Sequence, residues 1–239
     1  MRVQNSAKLK RIEMKFLLDR ELSYRVRDWA RDYLGVDENC NSETGDSYAI
    51  SSLYLDTSEM DLFHGSKRVG SAKHRIRRYG NEQTLWLETK RKKKMVVRKN
   101  RSAVFESDFL SRCGQSLSDA WCGDWFLKRV ETRGLIPAVQ IAYQRFARTS
   151  TFQNKTTRLT IDSEMRARPI AGWSVGSQAD DGGIDDRSFG EHEVLELTFF
   201  GAMPTIFKQL LTTFPIPPTG CSKYRSAIVA LGQGELADA

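Results

Sequence analysis

The sequence lacks the features that define secreted, membrane-spanning or zinc-binding proteins. No apolar run approaches the roughly 20 residues that a membrane helix needs, and no hydrophobic segment follows the basic N-terminus, as a signal peptide would require. The four cysteines and three histidines show none of the CxxC or Cys/His spacings that zinc sites use. We therefore expect a cytoplasmic protein with reduced thiols and no direct insertion into a membrane.

Signatures of nucleophilic catalysis and of phosphate loops are also missing from the sequence. It contains no Ser-His-Asp or Cys-His arrangement and no GxxxxGK[ST] motif. A net charge of +7 over 239 residues instead indicates an anionic partner. Nucleic-acid readers tend to carry their basic residues as an exposed patch, whereas many Lys and Arg residues here alternate as in strands. We therefore expect no nucleic acid as partner.

Residues 73–90, KHRIRRYGNEQTLWLETK, show this alternation most clearly. Arg75 and Arg77 lie in the first half, Glu88 and Lys90 lie in the second, and the positions between them are mostly apolar. Because alternate side chains of a strand share a face, the segment predicts a hairpin with one charged and one apolar face. A half-exposed surface sheet would explain one such hairpin taken alone.

The rest of the chain predicts further strands separated by a few helices. Strands are expected at residues 8–18, 47–57, 95–105, 137–150 and 192–200, with two short strands within 156–168. Helices are expected at residues 20–34, 107–113, 116–130, 204–214 and 222–231, the first capped by Asp19 and ended by Gly35, and a short helical or turn segment is expected at 59–65. Residues 91–94 predict a basic turn and residues 169–190 a mobile loop. We expect residues 1–239 to form one domain, with a core over about residues 8–232.

Charged residues fall on one parity in at least seven of the predicted strands. They are Glu13, Lys15, Arg75, Arg77, Glu88, Lys90, Lys99, Arg101, Arg145, Arg158 and Glu196. If all these faces were exposed to water, the helices would have little sheet left to pack on. The alternative is an α+β fold in which an antiparallel β-barrel has a charged lumen and helices on its apolar outside. Cations that face one another across a narrow lumen repel, and a bound polyanion would relieve that repulsion.

Eight short motifs resemble, in order, those of the VTC domain. They are RIEMKF at 11–16, SLYLDT at 52–57, KHRIRRYG at 73–80, LETK at 87–90, YQR at 143–145, RLTID at 158–162, VLEL at 194–197 and SKY at 222–224. The VTC domain belongs to the triphosphate tunnel metalloenzymes, the superfamily that also holds the CYTH proteins. The resemblance implies a tunnel barrel. It also implies that the chain synthesises inorganic polyphosphate from ATP, releasing ADP, with a divalent cation such as Mn²⁺ or Mg²⁺.

The resemblance also implies a role for each matching residue. The phosphate-binding cations would be Lys15, Arg75, Arg77, Lys90, Lys99, Arg145, Arg158 and Lys223, and Tyr143 and Ser222 would hydrogen-bond phosphate oxygens. Arg75, Arg77, Lys90, Arg145, Arg158 and Glu196 are the residues expected to act in catalysis. Glu196 resembles the metal-ligand glutamate, supported by Glu13 and Glu88. The expected partners are ATP and polyphosphate, and any membrane partner would be a separate protein.

Two positions depart from the pattern of the family. Thr198 and Gly220 stand where related sequences carry lysine, and Arg166 and Arg168 are candidates to compensate for the missing charge. Fewer cations would loosen the grip on a long phosphate chain. Two alternatives to the polymerase therefore stay open: a tripolyphosphatase or nucleoside triphosphatase that uses the same tunnel, and a non-catalytic polyphosphate-binding sensor.

Overall fold

The computed structural model describes residues 10–40, 44–66, 70–93, 95–113, 121–152, 155–176 and 186–235. The strands are β1 (Arg11–Leu18), β2 (Gly35–Val36), β3 (Ser47–Asp56), β4 (Ala72–Tyr79), β5 (Thr84–Lys93), β6 (Val96–Phe105), β7 (Ile136–Phe152), β8 (Lys155–Arg168), β9 (Arg187–Ser188) and β10 (Glu193–Phe200). The helices are α1 (Arg20–Tyr33), α2 (Asp61–His64), α3 (Glu106–Arg112), α4 (Asp124–Arg133), α5 (Thr205–Thr213) and α6 (Lys223–Ala230).

Eight of the strands close into an antiparallel barrel. Their order around it is β7, β3, β4, β5, β6, β1, β10 and β8, and β8 pairs back onto β7. The junction of β1 and β6 is short, with Ile12 opposite Val96 and the Glu13 amide donating to the Met95 carbonyl over 3.2 Å. The two-residue strands β2 and β9 pair with β7 and β8 outside this ring. The predicted barrel is therefore confirmed, and the single surface sheet is excluded.

The alternation of side chains in the strands separates charge from apolar surface. On one parity, Lys15 of β1 lies opposite Glu196 of β10, and Arg75 of β4 lies opposite Glu88 of β5. On the other parity, Phe16, Leu87 and Leu195 are buried under the outer helices. Since neighbouring residues of a strand face opposite ways, the first set points into the lumen and the second away from it.

Two apolar clusters hold the helices to the outside of the barrel. In one, α1 and α5 pack Val26, Phe207 and Leu210 against outward residues of β1 and β10. In the other, Phe109 of α3 and Phe126 of α4 pack against outward residues of β3, β4 and β5. Burial of each such side chain contributes roughly 1.5–3 kcal/mol. None of the described helices is long and apolar enough to span a membrane.

The first and last helices begin at capping side chains. The Leu22 amide donates to Asp19 Oδ1 over 2.8 Å, which confirms the predicted cap of α1. Ser222 accepts from the Arg225 amide over 3.4 Å at the start of α6. The prediction that Gly35 ends α1 is wrong: Leu34, in an extended conformation, is the C-cap, and Gly35 already pairs with β7 as part of β2.

Several other boundaries differ from the prediction. Residues 91–93 are not a turn but extend β5, because they pair with residues 96–98 of β6; Lys94 lies outside the described residues. Residues 155–168 form one strand rather than two, with an irregularity in its pairing with β7 and a positive φ of 52° at Glu164.

Two predicted segments are described only in part. Of the predicted helix at 116–130, residues 116–120 are not described, and α4 begins at Asp124. Of the predicted loop at 169–190, residues 177–185 are not described. Within the described part of that loop, Val175 is buried and its carbonyl accepts from Arg78 over 2.8 and 3.1 Å.

Candidate functional site

The lumen of the barrel holds a cavity of about 810 Å³. Among the described residues that line it, thirteen are Lys or Arg and three are Glu. The cations are Arg11, Lys15, Lys73, Arg75, Arg77, Lys90, Lys92, Lys99, Arg101, Arg145, Arg158, Lys223 and Arg225, and the carboxylates are Glu13, Glu191 and Glu196. This excess of cations gives the lumen a positive potential, which attracts anions.

The structure brings twelve of the thirteen predicted site residues to this one cavity. They are Glu13, Lys15, Arg75, Arg77, Lys90, Lys99, Tyr143, Arg145, Arg158, Glu196, Ser222 and Lys223. Glu88 is the exception. It points into the lumen but has no exposed surface and is not among the residues that line the cavity, because the cations cover it.

Glu88 holds two of the lumenal cations in place. Its Oε2 accepts from Arg75 Nε over 2.7 Å, and its Oε1 pairs with Lys99 Nζ. Burial opposes the charge of this carboxyl, but Arg75, Arg77 and Lys99 outweigh burial and hold the pKa of Glu88 well below its usual value. Burial also lowers the pKa of the Lys99 ammonium to about 7, although Glu88 opposes that shift.

Asp162 does the same for two further cations, and the sequence analysis did not assign it to the site. Arg145 donates to both of its carboxylate oxygens, over 2.6 and 2.7 Å, and Lys223 Nζ lies 2.7 Å from Oδ2. Burial would raise the pKa of Asp162, but Arg145 and Lys223 hold it far below its usual value. The alternation of residues could have placed Asp162 in the lumen, because Asp162 shares a face with Arg158 on β8.

Arg158 is held by a residue that no strand pattern could have indicated. Its Nε and Nη2 contact the two carboxylate oxygens of Asp37 over 2.8 and 2.9 Å, and it also donates to the Tyr48 hydroxyl. Asp37 follows β2 in a connection and is buried. Its place beside the lumen depends on the pairing of β2 with β7, so its role becomes visible only in the folded chain.

Arg77 differs from its neighbours because hydroxyls hold it, not a carboxylate. It donates to Ser52 Oγ over 3.2 Å and to the Tyr143 hydroxyl over 2.9 Å. Burial raises the pKa of Tyr143 to about 12, so this phenol stays protonated. Among the described residues no carboxylate pairs with Arg77, so its charge is available to a bound anion.

Tyr54 is a second phenol in contact with the lumenal cations. Its hydroxyl accepts from Arg75 Nη1 over 3.0 Å, and its ring stacks on Tyr224 of α6 at 5.7 Å. Burial would raise the pKa of the Tyr54 hydroxyl, but Arg75 and Arg77 outweigh burial and lower it to about 7. The Tyr224 hydroxyl in turn donates to Asp56, which fixes the start of α6 and therefore Lys223.

Lys73 is a lumenal cation that the predicted set of site residues omitted. Its Nζ donates to Ser222 Oγ over 2.6 Å, and it lies opposite Lys90 across β4 and β5. Burial, with a contribution from Lys15 and Lys90, lowers the pKa of Lys73 to about 8. Its parity, shared with Arg75 and Arg77, was the signal that could have placed it in the lumen.

Glu13 and Glu196 are the carboxylates that could hold a divalent metal at the cavity wall. Lys90 Nζ pairs with Glu13 and lies 3.9 Å from Glu196 Oε2, so the two carboxylates lie close together. In the described part of the chain, no three His, Cys, Asp or Glu side chains converge as a metal cluster. A pair of carboxylates nevertheless fits Mg²⁺ or Mn²⁺, which complete their coordination with phosphate oxygens and water.

The two positions that depart from the family pattern also lie at the cavity. Thr198, on β10, is opposite Arg158 of β8 and Glu13 of β1, and Gly220 lies in the segment before α6. Arg166 and Arg168, the expected compensating cations, are not among the lining residues described; Arg168 donates to Asp186 over 2.8 Å instead. The idea that these two arginines replace the missing lumenal charge is therefore not supported.

The VTC domain family model matches residues 10–231 of the chain. The chain belongs to the VTC domain family. The match covers all ten strands and six helices described above. No curated protein matches this sequence significantly.

Solved structures share the fold of this VTC domain. One is a candidate adenylyl cyclase from Hippeastrum, described as having a dominant triphosphatase activity, with a TM-score of 0.51, 16% identity and coverage of 95% of this chain and 97% of that one. Another is a candidate adenylate cyclase from Bacillus halodurans, with a TM-score of 0.50, 14% identity and coverage of 90% and 95%. At these identities the likeness concerns the fold alone.

Proposed function

We propose that this VTC domain binds ATP and inorganic polyphosphate in its lumen and extends the phosphate chain with the γ-phosphoryl group of ATP, releasing ADP. The observation that carries the proposal is the lining of the lumen, where thirteen described cations face three carboxylates. A triphosphate or a longer phosphate chain has one or more negative charges on each phosphate. Such a ligand supplies the counter-charge that this lining lacks.

The buried acids explain how so many cations can face one cavity. Glu88 holds Arg75 and Lys99, and Asp162 holds Arg145 and Lys223, each from below the lumenal surface. These ion pairs fix the cations in place before the ligand arrives, so little reorganisation accompanies binding. The outer ends of Arg75, Arg145 and Lys223 remain at the cavity, where they can bind phosphate oxygens.

The proposed reaction needs positioning and charge rather than a protein nucleophile. Arg75, Arg77 and Lys90 bind oxygens of the terminal phosphates and keep the γ-phosphorus in line with the end of the phosphate chain. A terminal oxygen of the chain forms a bond to the γ-phosphorus. The bond from that phosphorus to the β–γ bridging oxygen breaks, and ADP leaves with the electron pair. The phosphate-binding cations stabilise the charge that moves to the leaving oxygen.

Glu13 and Glu196 would hold the Mn²⁺ or Mg²⁺ that this family of tunnel enzymes uses. When bound, such an ion neutralises charge on the phosphate oxygens. Burial opposes ionisation of Glu196, but Lys90 and Lys15 hold its pKa well below the usual value, so the carboxylate is charged and available as a ligand at neutral pH.

Binding of Mn²⁺ to the protein, measured without ATP, should weaken in Glu196→Gln. It should be unchanged in Glu59→Gln, which alters an exposed carboxylate outside the cavity.

The proposal is tested by incubating the purified protein with ATP and Mn²⁺ and separating the products. Long polyphosphate and ADP should accumulate together, with one ADP released for each phosphate added to the chain. Release of free phosphate without polymer would contradict the proposed polymerase activity. Tight binding of tripolyphosphate without any ADP would instead identify a polyphosphate-binding sensor, and this binding should survive Glu196→Ala.

Hydrolysis of triphosphates is the second candidate function, because Thr198 and Gly220, where the resemblance implies lysine, line the cavity without a charge. A weaker hold on the phosphate chain would let water replace it as acceptor. The triphosphatase activity described for the Hippeastrum protein of the same fold agrees with this alternative. Restoring one cation in Thr198→Lys separates the two functions. The ratio of polymer to free phosphate should rise in this variant if the missing lysine limits the use of the chain as acceptor.

A further inference from the structure

A second cavity, of about 880 Å³, lies outside the lumen beside the barrel. It is formed where β4 begins, where β5 ends and where β6 begins, together with the C-terminal end of α4. We call it the rim pocket and define it by Ser71, Arg91, Arg98, Lys99, Arg129 and Arg133. None of the roles argued above for the lumen uses Arg91, Arg98, Arg129 or Arg133.

The charge of the rim pocket has one sign. Every charged residue among its described lining is Arg or Lys, whereas buried carboxylates compensate the cations of the lumen. Arg91 and Arg98 lie directly opposite each other across β5 and β6, and neither has an acidic partner among the described residues. Like charges placed opposite each other in a sheet are destabilising. An anion bound between these two arginines would remove that cost.

The end of α4 accounts for part of this charge without any ligand. Arg133 lies in the last turn of the helix, where the helix dipole favours a cation. Arg129 lies over the Trp125 ring at 5.4 Å. This explanation does not extend to Arg91 and Arg98, which belong to strands and face the same cavity.

The rim pocket adjoins the lumen. Ser71 and Lys99 line both cavities. Successive strand residues alternate between the two: Lys90 and Lys99 pair on the lumenal face, and Arg91 and Arg98 pair on the outer face one residue away. A phosphate chain that leaves the lumen past Ser71, just before β4, would therefore reach Arg91 and Arg98 on the outer face of the same sheet.

We propose that the rim pocket binds the part of a phosphate chain that extends beyond the lumen, so that one polyphosphate molecule occupies both cavities. The inference rests on the proposed binding of phosphate chains in the lumen. It assigns the pocket to a continuous chain of phosphates, not to a separate phosphorylated small molecule. It also predicts a dependence on length, because tripolyphosphate is held by the lumen and only longer chains reach the arginines outside.

The test compares the dissociation constants of tripolyphosphate and long-chain polyphosphate at fixed ionic strength. The double variant Arg91→Ala/Arg98→Ala should lose roughly two- to thirtyfold in affinity for the long chain, since two exposed charge contacts are removed. Its affinity for tripolyphosphate should stay at the wild-type value. Lys128→Ala/Lys208→Ala is the matched control, because it removes two exposed cations that line neither cavity. Both affinities of this control should remain near those of the wild type.

Several results would overturn the inference while leaving the proposed function intact. Among them are an equal loss for short and long chains, the same loss in the control variant, and long-chain binding through Arg91 and Arg98 that saturating tripolyphosphate does not weaken. The last result would identify a separate phosphate-ligand site. Single-stranded RNA that binds with the same dependence on the two arginines would also contradict it, in favour of a nucleic-acid surface. Failure of the wild-type protein to bind tripolyphosphate would instead contradict the proposed function of the lumen.

Discussion

Arg145 and Asp162 lie opposite each other across β7 and β8, and the guanidinium donates to both carboxylate oxygens over 2.6 and 2.7 Å. Asp162 is 1% exposed and also pairs with Lys223, so one buried carboxylate holds cations from a strand and a helix. Removal of one partner from a buried ion pair leaves the other charge uncompensated, which costs more than the pair contributes. The buried acids of this barrel are therefore as necessary to the cationic lumen as the cations themselves.

The change Asp162→Asn should lower the free energy of unfolding by about 3 kcal/mol or more, because Arg145 and Lys223 lose their counter-charge. Bound tripolyphosphate should restore part of this loss by supplying negative charge to the same cations. Thermal unfolding with and without tripolyphosphate measures both effects. Asp28→Asn, which alters the exposed partner of Arg31, should change stability by less than about 0.5 kcal/mol. A stabilisation by tripolyphosphate no larger in Asp162→Asn than in the wild type would count against the prediction.

Arg75→Met and Arg77→Met should both weaken tripolyphosphate binding but should differ in stability. Loss of Arg75 leaves the fully buried Glu88 with Lys99 as its remaining ion pair, and we expect a cost on the order of 3 kcal/mol. Arg77 donates hydrogen bonds to hydroxyls and to no carboxylate, so its removal weakens the field that keeps Glu88 charged but also relieves repulsion from Arg75. The denaturant midpoint should therefore fall much less for Arg77→Met than for Arg75→Met. Unfolding of Arg77→Met would show that Arg77 is needed for the fold.

The affinity for tripolyphosphate should depend on Lys73 above neutral pH. Burial lowers the pKa of Lys73 to about 8, so the free protein loses this charge as the pH rises from 7 to 9. Because the bound anion favours the protonated amine, affinity falls as the pH rises, by at most about tenfold per pH unit for one linked proton. The variant Lys73→Arg keeps its charge over this pH range, so the part of the pH dependence that comes from Lys73 should be absent. The titration of tripolyphosphate itself affects the wild type and the variant alike. Identical pH profiles for the two proteins would refute the role of Lys73.

His74 should make the fold sensitive to mild acid. It is 1% exposed, with Nδ1 3.0 Å from Thr89 Oγ1, and burial aided by Arg133 and Arg129 lowers its pKa to about 4. The unfolded chain, with a histidine pKa of about 6.5, binds the proton more tightly. The stabilisation is therefore complete above pH 6.5 and is lost as the pH falls toward 4, by about 2 kcal/mol between pH 7 and pH 5.

Urea unfolding at pH 7 and at pH 5 measures this loss. His74→Gln has no titrating ring and should show a smaller decrease between the two pH values. His64→Gln serves as the control, since His64 also lies in the described part of the chain but is exposed. An equal decrease in the wild type and in His74→Gln would assign the acid sensitivity to other groups.

The barrel could be predicted from the sequence because the alternation of charged and apolar residues that specifies it is local and periodic. Alternation in residues 73–90 and in the other strands separates a charged face from an apolar one, and the helices supply apolar faces to cover the latter. Twelve lumenal residues followed from that parity together with the family motifs. Lys73 and Asp162 carried the same signal and lie on the same face.

The tertiary structure alone decided how these charges are compensated. Glu88 could be placed in the lumen from its parity, but only the packing shows that Arg75 and Lys99 cover it. Asp37 reaches Arg158 from 121 residues away, by way of a two-residue strand that has no periodicity to detect. The rim pocket likewise depends on the end of α4 lying beside β5 and β6. Periodicity determines which face a side chain occupies, whereas its partner depends on long-range packing, which no local pattern encodes.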